Sequence, residues 1–115
     1  MLDRLLRLLA LWLLCATSHA VTVLDDAQQL VEIAKPPQRI VSLLPSLTET
    51  VCALGQCQRL VGLDRYSNWP ESIQALPRMG GGLDPNIERI VAQKPDLVLL
   101  AGSTRGVERL QSLGI

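Results

Sequence analysis

The chain has 115 residues, with eleven Lys or Arg, eleven Asp or Glu and one His, and it is 48% hydrophobic but only 3% aromatic. One domain fits this length, and the composition excludes a disordered tail. The balanced charge excludes the basic face that nucleic-acid binding needs, so no nucleic-acid partner is expected.

Residues 1–20 follow the plan of a secretory signal peptide. Arg4 and Arg7 give a positive start, Leu8 to Ala16 is an apolar run, and Ser18 and Ala20 are small residues at the −3 and −1 positions of a cleavage site. The run is about half of the roughly 20 residues a membrane helix needs. Lipid attachment at Cys15 is disfavoured, because Leu14 before it is large. Removal of this segment takes two of the eleven basic and one of the eleven acidic residues, so the remainder carries a net charge of −1. It also takes His19, the one histidine. His-based general base catalysis, a Ser-His-Asp triad and His-ligated zinc or haem are thereby excluded within the remainder.

Residues 21–38 read as an N-terminal extension and linker. Val21 and Val23, a turn at Asp25-Asp26-Ala27, and Leu30, Val31 and Ile33 suggest a hairpin, and Pro36-Pro37 is a stiff connector. From residue 39 to 115 the pattern is regular. Ile40-Val41-Ser42-Leu43-Leu44 is a short apolar strand. Ser46-Leu47-Thr48-Glu49 has the S-x-x-E form of a capping box, which predicts a helix starting at Ser46. Leu47, Val51 and Leu54 share its buried face, and Gly55 suits the position just past its end. Cys52 and Cys57 straddle that glycine. An oxidising compartment permits a disulfide between them, the alternative being two buried thiols. Two sulfurs without a nearby His are too few for a metal site.

Leu60-Val61-Gly62-Leu63 is the next strand. Asp64 to Met79 is mostly loop, with a turn of helix after Pro70. Gly80-Gly81-Gly82 is flexible backbone without the Gly-Lys-Ser/Thr of a phosphate loop. Asp84-Pro85 predicts a helix with Asp84 as N-cap, burying Ile87, Ile90 and Val91 and stopping at Lys94-Pro95. Leu97 to Leu100 is a third strand. A helix from about Thr104 turns Val107, Leu110 and Leu113 inward and ends at Gly114, and Ile115 reads as the start of another strand. The succession of βαβ units defines an α/β fold, a parallel sheet flanked by helices with right-handed crossovers. Continuous apolar strands mean that both sheet faces are covered. A sheet that stops as a strand begins leaves an unpaired edge, so the chain reads as the incomplete N-terminal part of something longer.

Ligands of open parallel sheets sit beyond the carboxyl ends of the strands. Candidate ligand contacts there are Ser46, Asp64, Arg65, Tyr66, Trp69 and Ser103, with the backbone of Gly81 and Gly82. Tyr66 and Trp69 offer flat apolar faces with a polar edge, suited to a rigid, ring-rich ligand. Trp69 could equally anchor its loop under Pro70, and Ser46 could serve only as a helix cap. Asp64 and Arg65 could touch ligand or form a solvated ion pair. No catalytic residue is assigned.

From Arg39 to Ile115 the chain resembles the periplasmic solute-binding proteins of ABC importers for vitamin B12, iron siderophores and haem. The residues that carry the resemblance are Arg39-Ile40-Val41-Ser42-Leu43, Pro45-Ser46-Leu47-Thr48-Glu49, Leu54-Gly55, Leu60-Val61-Gly62, Tyr66-Ser67-Asn68-Trp69-Pro70 and Leu113-Gly114-Ile115. The block from Asn86 to Val98, N-x-E-x-I-V-A-x-K-P-D-L-V, is the most specific. The resemblance implies two α/β lobes joined by a long helix, with this chain supplying most of the first. It implies a monomeric, non-enzymatic periplasmic receptor for cobalamin, an iron siderophore or haem, partnered by an inner-membrane permease and its ATPase. It places Glu88 at a permease-docking position and Tyr66 at a position lining the corrinoid site. Two further aromatic walls of that site fall at Gly82 and Ala101, which leaves the choice of chelate open. For haem, Tyr66 is the candidate axial ligand. An exported α/β enzyme and a sensory lobe without a small ligand are the competing classes.

Overall fold

The computed structural model describes residues 20–115. The export signal expected over residues 1–20 therefore lies, except for Ala20, outside the described residues. The chain divides into two compact units, Met1–Pro36 and Pro37–Ile115.

In the first unit β1 (Val21–Leu24) and β2 (Leu30–Ile33) form an antiparallel hairpin in which Val21 faces Ile33 and Val23 faces Val31. Asp25 shapes its turn. The Asp25 carboxylate accepts from Gln29 N at 2.8 Å, and its carbonyl accepts from Gln28 N at 3.0 Å.

The second unit is built on three parallel strands, β3 (Ile40–Ser42), β4 (Leu60–Leu63) and β5 (Leu97–Leu99), in the order β4-β3-β5. Helices α1 (Pro45–Ala53), α2 (Ile87–Ala92) and α3 (Val107–Ser112) follow the strands, with single 3₁₀ turns at Cys57–Arg59 and Glu71–Ile73. Alternation along the strands, with a register shift in the β3–β4 pairing between Ile40 and Val41 that puts Leu60 and Leu63 on one face, sorts the core into two clusters. Ile40, Leu60 and Leu63 pack with Val51 of α1 and Ile73. Val41 and Leu43 pack with Met79, Ile90 of α2 and Leu110 of α3. The central strand β3 is buried throughout, whereas β5 is half-buried.

The sheet's lower end is tied by one acid and one base. Asp96 accepts from the backbone N–H groups of Gln38 and Arg39 at 2.8 and 2.9 Å. The Arg39 guanidinium reaches back to the Gln93 carbonyl through Nη2 and Nε, at 2.6 and 2.9 Å. The start of β3, the end of α2 and the start of β5 are thus fastened together.

Three helix starts differ from expectation. Helix α1 begins at Pro45 with Leu44 as N-cap and no side-chain cap. Proline at the first position presets a helical φ and lacks only an N–H that no helical partner would take, so the helix starts before Ser46 and no capping box forms. Helix α2 is capped by Asn86, whose Oδ1 accepts from Arg89 N at 2.9 Å, and not by Asp84. The Asp84 carboxylate is instead taken by Arg65. Helix α3 begins at Val107 because Gly106, at φ 79°, is left-handed and breaks any helix running from Thr104. These helices are short, so fewer side chains reach the sheet than the apolar pattern suggests. Leu54, Val91 and Leu113 are exposed, and Leu54 and Leu113 are C-cap residues. Ile115 is not in a strand; its N–H closes the end of α3 on the Leu110 carbonyl at 3.1 Å.

Helix α1 ends as a Schellman turn. Gly55, at φ 75°, donates to the Cys52 carbonyl at 2.9 Å, and Gln56 donates to Val51 at 3.0 Å. This reversal brings the Cα atoms of Cys52 and Cys57 to 4.2 Å, and a disulfide joins them. Titration of the unfolded, unreduced protein is expected to find no free thiol at either position. Replacing both by Ala is expected to lower the unfolding free energy by about 2 kcal/mol, the low end for so short a loop, as read by urea denaturation.

Candidate ligand-binding site

Parallel strands place all their carboxyl ends at one rim of the sheet. The segments after β3, β4 and β5 meet there, and the glycine run returns to join them. Gly80 accepts from Arg65 N at 2.7 Å, and Gly82 accepts from Arg105 N at 3.0 Å, so the run is stitched to the loops after β4 and β5. Gly80 has φ 91°, and a Cβ on it would lie 2.5 Å from the Asp84 carbonyl oxygen. Only glycine fits there.

Beneath the rim is a chain of buried polar groups. Asp64 is 1% exposed, Ser67 2%, and Thr48 and Ser42 0%. Ser67 Oγ donates to Asp64 Oδ1 and lies 3.0 Å from Thr48 Oγ1. Thr48 Oγ1 is in turn 2.9 Å from Ser42 Oγ, which donates to the Leu44 carbonyl at 3.2 Å. The other Asp64 oxygen accepts from Tyr66 N at 2.7 Å. Arg78 Nη1 closes the loop from outside by donating to the Asp64 carbonyl at 3.1 Å. Strand β3, helix α1 and the loop after β4 are held by this one network. Asp64, a candidate ligand contact in sequence, thus faces inward with both oxygens engaged. In this position it fixes the loop.

The next two residues turn outward. Arg65 pairs with Asp84 across the glycine run, and its guanidinium lies 5.8 Å from the centroid of the Tyr66 ring. The hydrogen bond and charge of Asp84 raise the pKa of Arg65 above its ordinary value, so the cation persists over the whole physiological range. The solvated ion pair considered for Arg65 is made, but with Asp84 as its partner. Tyr66 is 67% exposed. Gly81 lies beside all three side chains: a Cβ there would be 3.0 Å from Asp84 Oδ1 and 3.7 Å from both Arg65 Nε and Tyr66 Cε2.

Other sequence candidates lie apart from this group. Trp69 is exposed but lines, with Glu49, Cys52, Ala53 and Pro70, a hollow of about 350 Å³ beside α1. Ser46 is exposed on the first turn of α1, where its carbonyl accepts from Thr50 Oγ1 at 2.7 Å. Ser103 is exposed in the turn after β5. Its neighbour Thr104 is buried, and its Oγ1 finds no partner among the described residues. Glu88 is exposed in the first turn of α2, whose start lies at the same rim. Sequence reasoning missed Ser42 and Thr48 as supports of the site. The available signal was a hydroxyl on each of two faces otherwise apolar, Ser42 within a buried strand and Thr48 one turn before Val51.

A family model described as periplasmic binding protein matches residues 40–114, and the chain belongs to that family. An uncharacterized ABC transporter substrate-binding lipoprotein of Bacillus subtilis is 35% identical over 83% of this chain and 32% of its own length. The vitamin B12-binding protein of Yersinia pestis is 39% identical over 71% of this chain and 30% of its own. The crystal structure of a periplasmic heme-binding protein from Pseudomonas aeruginosa superposes with a TM-score of 0.63 at 34% identity, over 69% of this chain and 28% of that one. The chain spans about a third of the length of the curated relatives it matches.

The buried network and the exposed ring make opposite demands on stability. Asp64→Ala strands the Tyr66 N–H and takes one of two partners from the Ser67 hydroxyl, and is expected to cost about 2 kcal/mol in urea denaturation. Tyr66→Ala removes only exposed surface and is expected to stay within about 0.5 kcal/mol of the parent.

Proposed function

We propose that this chain is the first lobe of an exported receptor that captures a flat metal chelate in the periplasm and delivers it, unaltered, to an ABC permease and its ATPase. Residues 1–20 are its export signal, 21–38 an extension and linker, and 39–115 the lobe itself. The observation that carries the reading is Tyr66, an exposed ring at the strand ends on a backbone fixed by buried hydrogen bonds. A ring presented without mobility loses little entropy when it meets a rigid ligand face. Arg65, Gly81 and Gly82 complete the floor beside it, and Ser103 edges the neighbouring loop. Trp69 and Ser46, on the separate surface beside α1, are contacts for a larger cargo only.

A corrinoid such as cobalamin is the first choice of cargo, supported by 39% identity to a protein named for vitamin B12 binding. Haem or another iron chelate is the second. It is favoured by the small residues Gly82 and Ala101 at the rim, which suit a thinner ring, and by the Tyr66 phenol, which can ligate iron. Glu88, exposed at the start of α2, is placed to meet basic residues of the permease.

Equilibrium dialysis of the full protein against cyanocobalamin, haem and ferric siderophores tests the reading. Binding of one chelate is expected, weakened about tenfold by Tyr66→Ala; failure to bind any of them ends the proposal. Glu88→Arg is expected to impair uptake in cells while leaving chelate affinity intact. Unchanged uptake would remove the docking role.

A further inference from the structure

The disulfide and the hollow beside α1 take no part in the rim, and they share a residue. Cys52 lines the hollow with Glu49, Ala53, Trp69 and Pro70, whereas Cys57 does not. Both cysteines pack against the core, so one sulfur of a half-buried bond opens on solvent. The turn between them does not depend on that bond. Gly55 N and Gln56 N donate to the Cys52 and Val51 carbonyls, and Arg59 N donates to the Gln56 carbonyl at 3.0 Å. These backbone bonds hold the reversal independently of the sulfurs. Inside the loop, Gln56 Oε1 is buried and meets no donor among the described residues. A disulfide has no hydrogen to offer it, and a thiol has one. Of the residues lining the hollow only Glu49 is charged, and it stands one turn before Cys52 on α1.

We propose that Cys52–Cys57 is a reversible dithiol–disulfide couple, reached through the hollow, and not a permanent staple. A thiolate of a dithiol reductant enters beside Trp69 and attacks Cys52 Sγ. The bond between the cysteines breaks, Cys57 leaves as a thiolate, and a mixed disulfide joins Cys52 to the reductant. The second thiolate of the reductant then attacks the reductant's own sulfur in that bond and releases Cys52. Two electrons pass to the protein, the two thiol protons of the reductant end on Cys52 and Cys57, and the reductant ends as a disulfide. A loop closed over a separation of 5 residues gains little from its bond, so little is lost when it opens. The backbone turn persists and returns the thiols to each other for reoxidation. A thiol also gives Gln56 the donor that the oxidised loop withholds. The Glu49 carboxylate repels a thiol that carries a second negative charge more than one that does not. Reduction frees the last turn of α1 from the 3₁₀ turn at Cys57–Arg59, and with it the side of the hollow formed by Cys52 and Ala53. The inference is independent of what the rim binds.

Reduction is followed on the full, folded protein by trapping thiols with iodoacetamide and locating them by mass spectrometry. Dithiothreitol is expected to open the bond at a rate proportional to its concentration and unchanged by urea below the unfolding transition. Exchange into oxidised dithiothreitol is expected to restore the bond. With each rate referred to that of a small neutral disulfide, 2-mercaptoethanol is expected to react about threefold faster than 3-mercaptopropionate at low salt, a gap that Glu49→Gln closes. Ala53→Leu keeps a good helix former and fills the hollow, and is expected to slow reduction about tenfold. Gln56→Leu removes the unsatisfied acceptor and is expected to shift the equilibrium about fivefold toward the disulfide. Reduction that waits on unfolding, with a rate that rises with urea and ignores the reductant concentration, overturns the inference. So does reduction indifferent to both Ala53→Leu and Glu49→Gln, or loss of the folded far-ultraviolet spectrum once the bond is open.

Discussion

The hydrogen-bonded chain from Ser42 through Thr48 and Ser67 to Asp64 is the constraint on which the rim depends. Apolar packing on the two faces of the sheet is non-directional and could hold the helices at several small offsets. Buried hydroxyls and a carboxylate are directional, and leaving any of them unpaired is costly. Their mutual satisfaction selects one arrangement of β3, α1 and the loop after β4. The last link passes from the Asp64 carboxylate to the Tyr66 N–H, so the geometry set inside the core is handed to the first exposed aromatic residue.

That arrangement divides the labour along a single stretch of chain. Asp64 and Ser67 point inward and are almost wholly buried, while Arg65 and Tyr66 between them point outward. The glycine run is drawn against this stretch by backbone bonds at Gly80 and Gly82 and supplies a floor without side chains. Such a stretch offers a firm surface more than reactive groups. Backbone floors and fixed rings provide one at small entropic cost on binding.

Much of the fold was legible because the strands and helices carry unambiguous apolar patterns. The three strands, the turn after Pro70, the reversal at Gly55 and the parallel α/β architecture all follow from local signals. The helix starts were less legible, since neighbouring residues compete for the same cap. At Pro45 a preset helical φ starts the helix one residue before the box at Ser46. At Asn86 a nearer side chain takes the cap because Asp84 is drawn away by Arg65, nineteen positions earlier. At the site, the outward pair Arg65 and Tyr66 could be proposed from position alone. The inward role of Asp64 could not, because it depends on Thr48 and Ser67 arriving from other parts of the chain. Tyr66 and Trp69, three apart in one loop and both candidate contacts, have different neighbours.

The fastening of Gln38, Arg39, Gln93 and Asp96 lies at the end of the sheet opposite the rim. Architecture is secured at one pole and the exposed side chains are presented at the other, with the strands as spacers between them. Changes in the upper loops therefore leave the lower lock untouched. A lineage built on this plan can rewrite residues at its crown while inheriting the foundation intact.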